Sequence, residues 1–163
     1  MTARSRLLIT GAILASFTLT ACLQPPEDPV PLPPEIRTAI EQDTREYVQA
    51  LAAQLGTTTE VQDDSWTGCV DALTGNEYAE QFVHGIRVDL ERTETFEEAA
   101  ARLQAHFVPL GWTWREPDAS IMRIGFTHDG YRVGASVFIE DGYAWVSGGA
   151  GCLSKSDVTQ TQP

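Results

Sequence analysis

The clearest helical pattern in this chain begins directly after a proline-rich segment. Apolar residues recur at spacings of three, four and seven between residues 34 and 55, which places them on one side of a helix. These residues are Ile36, Ile40, Tyr47, Val48, Leu51 and Leu55. Pro34 suits the first turn, where no N–H is needed, and Gly56 suits the position after the last turn. We therefore predict a helix over 34–55.

Two strands are predicted after this helix. Residues 57–66 combine β-branched with polar side chains, which is typical of an irregular or edge strand. The Thr-Gly-Asn sequence at 74–76 indicates a turn. Over residues 78–90 the apolar side chains stand mostly at even spacing, which favours a strand over a helix.

A second helix is predicted from a capping signal. Thr95 and Glu98 have the Thr-x-x-Glu spacing of a capping box, in which each side chain accepts a hydrogen bond from the backbone of the other. Apolar residues then follow at helical spacing. Pro109 and Gly111 are expected to end this helix near Val108.

The last third of the chain alternates between apolar and polar residues and is divided by turn signals. Asp-Gly pairs at 129–130 and 141–142 indicate hairpins, because the central positions of such turns need positive φ. The predicted order is α-β-β-α-β-β-β-β, in which the last strands form an antiparallel meander. We predict an α+β fold, a two-layer sandwich with two helices on one face of an antiparallel sheet.

The beginning of the chain has the pattern of a secretory signal. Arg4 and Arg6 precede an apolar run over 7–19, which is shorter than the roughly 20 residues that a transmembrane helix needs. Small residues follow this run. We therefore expect residues 1–21 to be a signal peptide that is removed on export.

The segment Leu19-Thr20-Ala21-Cys22 resembles the lipobox of bacterial lipoproteins. The resemblance implies cleavage after Ala21, diacylglycerol on the Cys22 sulfur and acylation of the new amino terminus. It thus implies a lipid anchor in the cell membrane with the protein on the extracytoplasmic side, and two acyl chains already give stable anchoring. The alternative is ordinary signal cleavage nearby, which would leave Cys22 as an exposed thiol.

Proline content separates the anchor from the rest of the chain. Six prolines lie between residues 23 and 34, and proline favours the extended polyproline conformation. We interpret residues 22–33 as the lipidated cysteine and a semi-rigid spacer; a proline-rich ligand for a partner domain is the alternative. A single α+β domain is predicted over 34–153, and a flexible polar tail over 154–163.

The chain is strongly acidic. It has 11 Lys and Arg against 23 Asp and Glu, a formal net charge of −12, and removal of the signal would leave 9 Lys and Arg and a charge of −14. Binding to nucleic acid requires Lys and Arg facing phosphates, so we expect no nucleic-acid partner. Adhesion to anionic lipid headgroups is disfavoured for the same reason, so that the acyl chains would supply the membrane affinity.

Two cysteines remain once Cys22 is lipidated. An even number of cysteines in an exported protein predicts a disulfide, here between Cys69 and Cys152. This bond would join a loop at Cys69 to the end of the final strand. A metal or catalytic role is disfavoured, because no Cys-x-x-Cys spacing occurs and no His lies close in sequence to either cysteine.

Several short motifs resemble those of small secreted lipoproteins of actinobacteria of the LppA-like kind, whose function is unassigned. They are "LTAC" at the lipobox, a helix after a spacer, "GC" at 68–69, "GW" at 111–112 and a closing strand that ends in "GAGC". The resemblance implies a location in the cell envelope and a two-layer α/β domain. It brings no catalytic residues with it.

The three histidines form no compact metal-binding motif. His84, His106 and His128 are predicted on a strand, on a helix and beside a turn, and they lack the His-x-x-x-His spacing. We expect them to be exposed or hydrogen-bonded, and we expect no metal site and no cofactor.

The carboxylates and serines show no catalytic arrangement. Asp63, Asp64 and Asp71 do not fit the twelve-residue frame of a calcium loop, which favours a capping or solvated role. No serine stands in a Gly-x-Ser-x-Gly or Ser-x-x-Lys motif. The glycine-rich segment at 147–152 lacks the Lys and the following helix of a phosphate loop, so we interpret it as a sharp turn toward the disulfide.

Two tryptophans are the candidate recognition residues. Trp112 and Trp114 are two residues apart in a predicted strand and therefore share a face. If that face is exposed, they form a recognition patch for a glycan, a peptide or a protein surface. The alternative is that both pack in the core.

These features favour a non-catalytic binding or interaction module of the cell envelope, with an envelope protein or a cell-wall component as its partner. The alternative is an envelope enzyme, or an enzyme accessory factor, with a dispersed active site.

Overall fold

The computed structural model describes residues 31–154, which form two helices and six strands. The helices are α1 (Pro34–Ala52) and α2 (Phe96–Phe107). The strands are β1 (Gly56–Val70), β2 (Glu77–Leu90), β3 (Thr113–Asp118), β4 (Arg123–His128), β5 (Tyr131–Phe138) and β6 (Tyr143–Gly149). The predicted signal peptide, Cys22 and most of the predicted spacer and tail lie outside the described residues. Neither helix of this part of the chain is long and apolar enough to cross a membrane.

The six strands form one antiparallel sheet in the order β1-β2-β6-β5-β4-β3. The strands from β3 to β6 follow each other as hairpins, and β2 pairs with β6, so that the β1–β2 hairpin extends the sheet on one side. Side chains from both helices share one core cluster with the sheet, which places α1 and α2 on the same face. The predicted element order and the α+β two-layer class are confirmed.

The main core lies between the helices and the sheet, because alternate residues of each strand point to this side. Its largest fully buried side chains include Phe107, Phe126, Leu51, Ile86, Leu103 and Ile124. Full burial of a side chain of this size contributes about 1.5 to 3 kcal/mol. Neither helix of residues 31–154 covers the opposite face of the sheet.

Both predicted helix starts are confirmed. Pro34 lies in the first turn of α1. Thr95 caps α2: its hydroxyl accepts from the Glu98 N–H at 3.2 Å, and the Glu98 carboxylate accepts from the Thr95 N–H at 2.8 Å. α1 ends at Ala52, three residues earlier than predicted, because the Leu55 N–H bonds to the Ala52 carbonyl and the chain turns there.

β1 is longer than predicted and reaches Val70 instead of Trp66. It is an edge strand, and its register against β2 shifts at three places, as expected of an irregular strand. Its pairing continues along nearly the whole of the 14-residue strand β2, with Cys69 opposite Ala79. The prediction that Cys69 lies in a loop is therefore wrong, since this long partner strand extends β1 past it.

The predicted disulfide between Cys69 and Cys152 is present, with Cα atoms 6.0 Å apart. It joins β1 to the segment after β6, next to an isolated bridge between Glu80 and Leu153. The two cysteines are 83 residues apart in the chain. The bond therefore closes a loop that contains most of the domain.

The two predicted Asp-Gly hairpins are present, and their turns differ. In the β4–β5 connection, Asp129 and Gly130 have φ of 49° and 84°, as a two-residue turn with both central φ positive requires. The β5–β6 connection is longer, and of its Asp-Gly pair only Gly142 has a positive φ, of 72°.

Leu32 lies two residues before the predicted domain boundary, yet it is only 3% exposed. It packs in a second apolar cluster with Ile40, Phe82 and Tyr131. Its N–H also donates to the Glu80 carboxylate at 3.0 Å. The end of the proline-rich segment is therefore held against the domain.

Candidate functional site

A row of small residues crosses the middle of the sheet on the face opposite the helices. Gly85 of β2 pairs with Ser147 of β6. Ser147 pairs in turn with Gly134 of β5, which pairs with Gly125 of β4. The chain neighbours of these residues point into the core, so the row itself faces away from the helices. Because no side chain in the row is larger than a hydroxymethyl group, the backbone of four strands forms a floor.

Gly125, Gly134 and Ser147 of this row line a groove of about 600 Å³. Three arginines stand in its walls: Arg115 of β3, Arg123 of β4 and Arg132 of β5. We call it the arginine groove.

The strand register places the three arginines on three sides of the glycine row. Arg115 pairs with Gly125 and continues the row onto β3. Arg123 stands two residues before Gly125, and Arg132 stands two residues before Gly134. Because β4 and β5 are antiparallel, these two arginines lie on opposite sides of the row. Two residues along a strand span about 6.6 Å, a distance that an arginine side chain can reach across.

Two of the arginine side chains lie close over the glycines. A Cβ atom at Gly125 would lie 3.8 Å from the Cβ and Cδ atoms of Arg115. A Cβ atom at Gly134 would lie 3.8 Å from the Nε atom of Arg123. A longer side chain at either glycine would take the space that the arginine occupies. At Gly134 the nearest atom to such a Cβ is the Ile124 carbonyl oxygen at 2.8 Å, so backbone packing also requires glycine there.

The groove arginines differ from most other arginines of the domain in their lack of a carboxylate partner. Within residues 31–154, four arginines form ion pairs at N–O distances of 2.5 to 3.7 Å. These are Arg37, Arg45, Arg87 and Arg102. In the same part of the chain, no carboxylate oxygen lies within 4.0 Å of a groove guanidinium nitrogen. The groove thus keeps three unpaired cations in a chain with an excess of acids.

Two carboxylates at the rim reduce this positive charge without cancelling it. Asp118 accepts from the N–H of Ser120 at 3.0 Å and from its hydroxyl at 2.5 Å. These hydrogen bonds hold the pKa of Asp118 below its ordinary value of 3.8. Glu116 is exposed at the same rim. Three guanidinium groups against two carboxylates leave a net positive groove on a negative protein.

A strip of aromatic side chains lies beside the arginine groove on the same face. Trp145 is half-buried and stands two residues before Ser147 on β6. The ring centroid of Tyr143 lies 6.3 Å from that of Trp145 and 4.9 Å from that of Phe138. The guanidinium of Arg87 covers the Tyr143 ring at 4.1 Å. Trp145 is therefore the aromatic residue of this strip that the register places next to the groove.

The tryptophans singled out from the sequence lie on the other side of the sheet. Trp112 is 6% exposed, and its ring centroid lies 4.6 Å from that of Phe107 and 5.9 Å from that of Phe126. Trp114 is half-buried and contacts the same Phe126 at 5.1 Å. The two do share a face, but it is the face that the helices cover. Trp112 therefore packs in the core, as the alternative stated, and it cannot form part of an exposed recognition patch.

His84 belongs to a hydrogen-bonded network under α1. It is 4% exposed, and its Nδ1 atom lies 2.9 Å from the Asp64 carboxylate. Arg45 donates to both oxygens of Asp64, at 2.9 and 3.0 Å. The hydrogen bond from Arg45 is the largest effect on Asp64 and lowers its pKa; burial opposes it, and the charge of Arg45 and the hydrogen bond with His84 add smaller lowering effects. Neither His84 nor Asp64 lines the arginine groove.

The other two histidines contact aromatic rings. The ring of His128 stacks on Trp112 with centroids 5.0 Å apart, and His106 meets the edge of Phe107 at 4.8 Å. Within residues 31–154, no group of three or more His, Cys, Asp or Glu side chains is placed to hold a metal ion.

The remaining candidate residues have local roles or lie in the groove. Asp71 accepts from the N–H groups of Leu73 and Thr74, at 3.0 and 2.8 Å, and so caps a turn. Asp63 accepts from the Ser65 hydroxyl at 2.7 Å. Ser147 lies in the floor of the arginine groove, whose lining contains no histidine to act as its base. The described lining of the groove, with its three arginines and Ser147, is therefore suited to hold an anion.

Sequence reasoning missed the arginine groove, although a signal was present. Residues 123–125 read Arg-Ile-Gly and residues 132–134 read Arg-Val-Gly, on the two strands of one predicted hairpin. In each, the apolar residue points to the core, so the arginine and glycine point to the other face.

Comparison of the chain with models of known protein families, with curated proteins and with solved structures gives no match.

Proposed function

We propose that this protein is a lipid-anchored module on the extracytoplasmic side of the cell membrane, and that it binds an anionic envelope component in the arginine groove. One observation carries this proposal: within residues 31–154, three arginines without a carboxylate partner surround a glycine floor on the face of an acidic domain opposite its two helices. The guanidinium group presents a planar fork of donors that matches phosphate and carboxylate groups. An anion bound in this groove would pair with the three arginines, which form no ion pair with a carboxylate of residues 31–154.

Two features support the proposed location. The lipobox at Cys22 follows a basic and apolar leader, which is the order that an exported lipoprotein needs. The disulfide between Cys69 and Cys152 fits an oxidising compartment outside the cytoplasm. Mass spectrometry of the protein from the membrane fraction tests the anchor. We expect a lipid-modified Cys22 and a soluble Cys22→Ala variant; an unmodified Cys22 in the wild type would contradict the proposal.

Binding rather than catalysis is favoured by the composition of the groove. Three arginines, a serine and several glycines supply donors and space, and they outnumber the two carboxylates of the lining, Glu116 and Asp118. An anionic cell-wall component, or an acidic segment of an envelope protein, has the charge that this groove accepts.

The binding proposal is tested with small anions and the mature lipidated protein in a nonionic detergent. Isothermal titration calorimetry with tripolyphosphate and with citrate, at low and high salt, should show binding that weakens as salt rises. Arg123→Gln should weaken binding about tenfold, because one charge-assisted contact is lost. Arg92→Gln removes an arginine outside the groove and serves as the matched control. Equal effects of the two substitutions would show that the groove is not the binding site.

A further inference from the structure

We infer that the arginine groove recognises a phosphorylated sugar, with the phosphate over the glycine row and the sugar ring against Trp145. This inference rests on the proposed binding function and specifies its ligand.

The number and directions of the arginines favour phosphate over carboxylate. A carboxylate is planar, carries one charge and is satisfied by one guanidinium fork. A phosphate monoester is tetrahedral, carries nearly two charges at neutral pH and has three terminal oxygens. The register places Arg115 in line with the row and Arg123 and Arg132 on its two sides, and all three line the groove. Guanidinium groups placed on three sides of the row match the three terminal oxygens of a tetrahedral phosphate.

The flat floor makes room for such a group. Gly125, Gly134 and Ser147 project no more than a hydroxymethyl group toward the ligand. Ser147 adds a hydroxyl in the floor that can donate to a phosphate oxygen. The phosphate can therefore lie low between the guanidinium groups, where all three reach it.

The aromatic strip accounts for the sugar. Trp145 is two residues from Ser147 along β6, so their Cα atoms are about 6.6 Å apart and Trp145 lies beside the groove lining. Indole presents a large flat apolar surface with little conformational entropy to lose, and the C–H face of a sugar ring can pack on it. Arg87 already covers the Tyr143 ring, so within the strip Trp145 is the surface offered next to the groove.

The test compares four ligands that separate the phosphate from the ring. Calorimetric titration of the mature protein uses glucose 6-phosphate, glucuronate, inorganic phosphate and glucose. We expect glucose 6-phosphate to bind at least about tenfold more tightly than glucuronate, which has the same ring with a carboxylate. Inorganic phosphate should bind more weakly than glucose 6-phosphate, and glucose should not bind measurably.

Two substitutions separate the contributions of the groove and the strip. Arg123→Lys keeps the charge and removes the fork, so it should weaken both phosphate ligands by about the same factor, several-fold. Trp145→Leu should weaken glucose 6-phosphate several-fold and leave inorganic phosphate unchanged. Trp114→Leu, on the opposite face, is the matched aromatic control and should change neither affinity, with near-ultraviolet circular dichroism used to verify each fold.

The outcomes distinguish this inference from the function on which it rests. Equal affinities for glucuronate and glucose 6-phosphate would overturn the phosphate preference while the anion-binding function stands. Loss of inorganic phosphate binding in Trp145→Leu would overturn the assignment of the ring to Trp145. Binding to vesicles that contain phosphatidic acid, with none to glucose 6-phosphate, would overturn the sugar. Failure to bind tripolyphosphate, citrate and all four ligands would overturn both proposals.

Discussion

Breaking the disulfide should remove a large share of the stability of this domain. Cys69 and Cys152 are 83 residues apart, and the chain-entropy relation for a loop of that length gives about 4.5 kcal/mol at 25 °C. The effect acts on the unfolded chain, which gains conformational freedom when the bond is cut. In a folded unit of this size, such a loss corresponds to a fall in Tm on the order of 15 °C.

The native fold should survive the loss. Cys69 is buried, but it lies outside the main core cluster between the helices and the sheet. The segment after β6 also keeps its bridge, in which Glu80 and Leu153 exchange two backbone hydrogen bonds of 2.8 and 3.1 Å. We therefore expect reduction to lower stability without changing the circular dichroism of the folded state.

The assay is urea unfolding of a Cys22→Ser protein, oxidised and then reduced, followed by tryptophan fluorescence. The reduced protein should unfold at lower urea and with a larger m value, because its unfolded state is less compact. A variant with both Cys69→Ala and Cys152→Ala is the control for the reductant itself. A loss below about 1 kcal/mol with an unchanged m value would refute the reasoning, since it would mean that the bond does not restrict the unfolded chain.

Three further substitutions test the packing. Arg102 donates to Glu94 at 2.5 and 3.1 Å and to the Gln54 carbonyl at 2.8 Å, so Arg102→Ala should cost about 2 kcal/mol in urea unfolding at pH 7. The hydrogen bond from Arg102 lowers the pKa of Glu94 below its ordinary value of 4.5. The stability that comes from the ionised Glu94 is therefore fully present above pH 4.5, and the effect of Arg102→Ala should be smaller at pH 3. An equal effect at pH 3 and pH 7 would contradict the pairing. Trp112→Ala should cost about 3 to 5 kcal/mol by thermal unfolding, more than Trp145→Ala on the open face, and the reverse order would refute the assignment of the two faces. Gly148→Ala should cost about 1 to 3 kcal/mol, because the new Cβ would lie 2.9 Å from Val48; wild-type stability would show that α1 can move away.

Most of the architecture was predictable because its signals are local. A helical period, the capping box of Thr95 and Glu98, and the Asp-Gly pairs each act over a few residues, and the structure has the elements where they indicate. The end of α1 differs from the prediction because a local turn, closed by the bond from the Leu55 N–H to the Ala52 carbonyl, takes the place of the last helical turn. The length of β1 differs because it depends on a partner strand. β1 continues to Val70 since β2 offers it a partner over that length.

The tryptophan patch and the arginine groove show what local sequence patterns do not predict. Alternation correctly placed Trp112 and Trp114 on one face, but it does not state which face the helices cover. That choice is made when α1 and α2 pack together on the sheet, and it buries Trp112 and leaves Trp145 on the open side.

The sequence by itself determined the order of the elements and the side of each strand on which a residue falls, because periodicity carries that information. It predicted the pairing of Cys69 with Cys152 on the expectation that Cys22 is lipidated. Only the tertiary structure decided that Arg115, Arg123 and Arg132 surround one glycine row. The row draws on four strands that span residues 77–149, and strand register alone brings its members side by side. Register follows from the summed packing of the whole sheet against two helices, a quantity that no short stretch of chain contains.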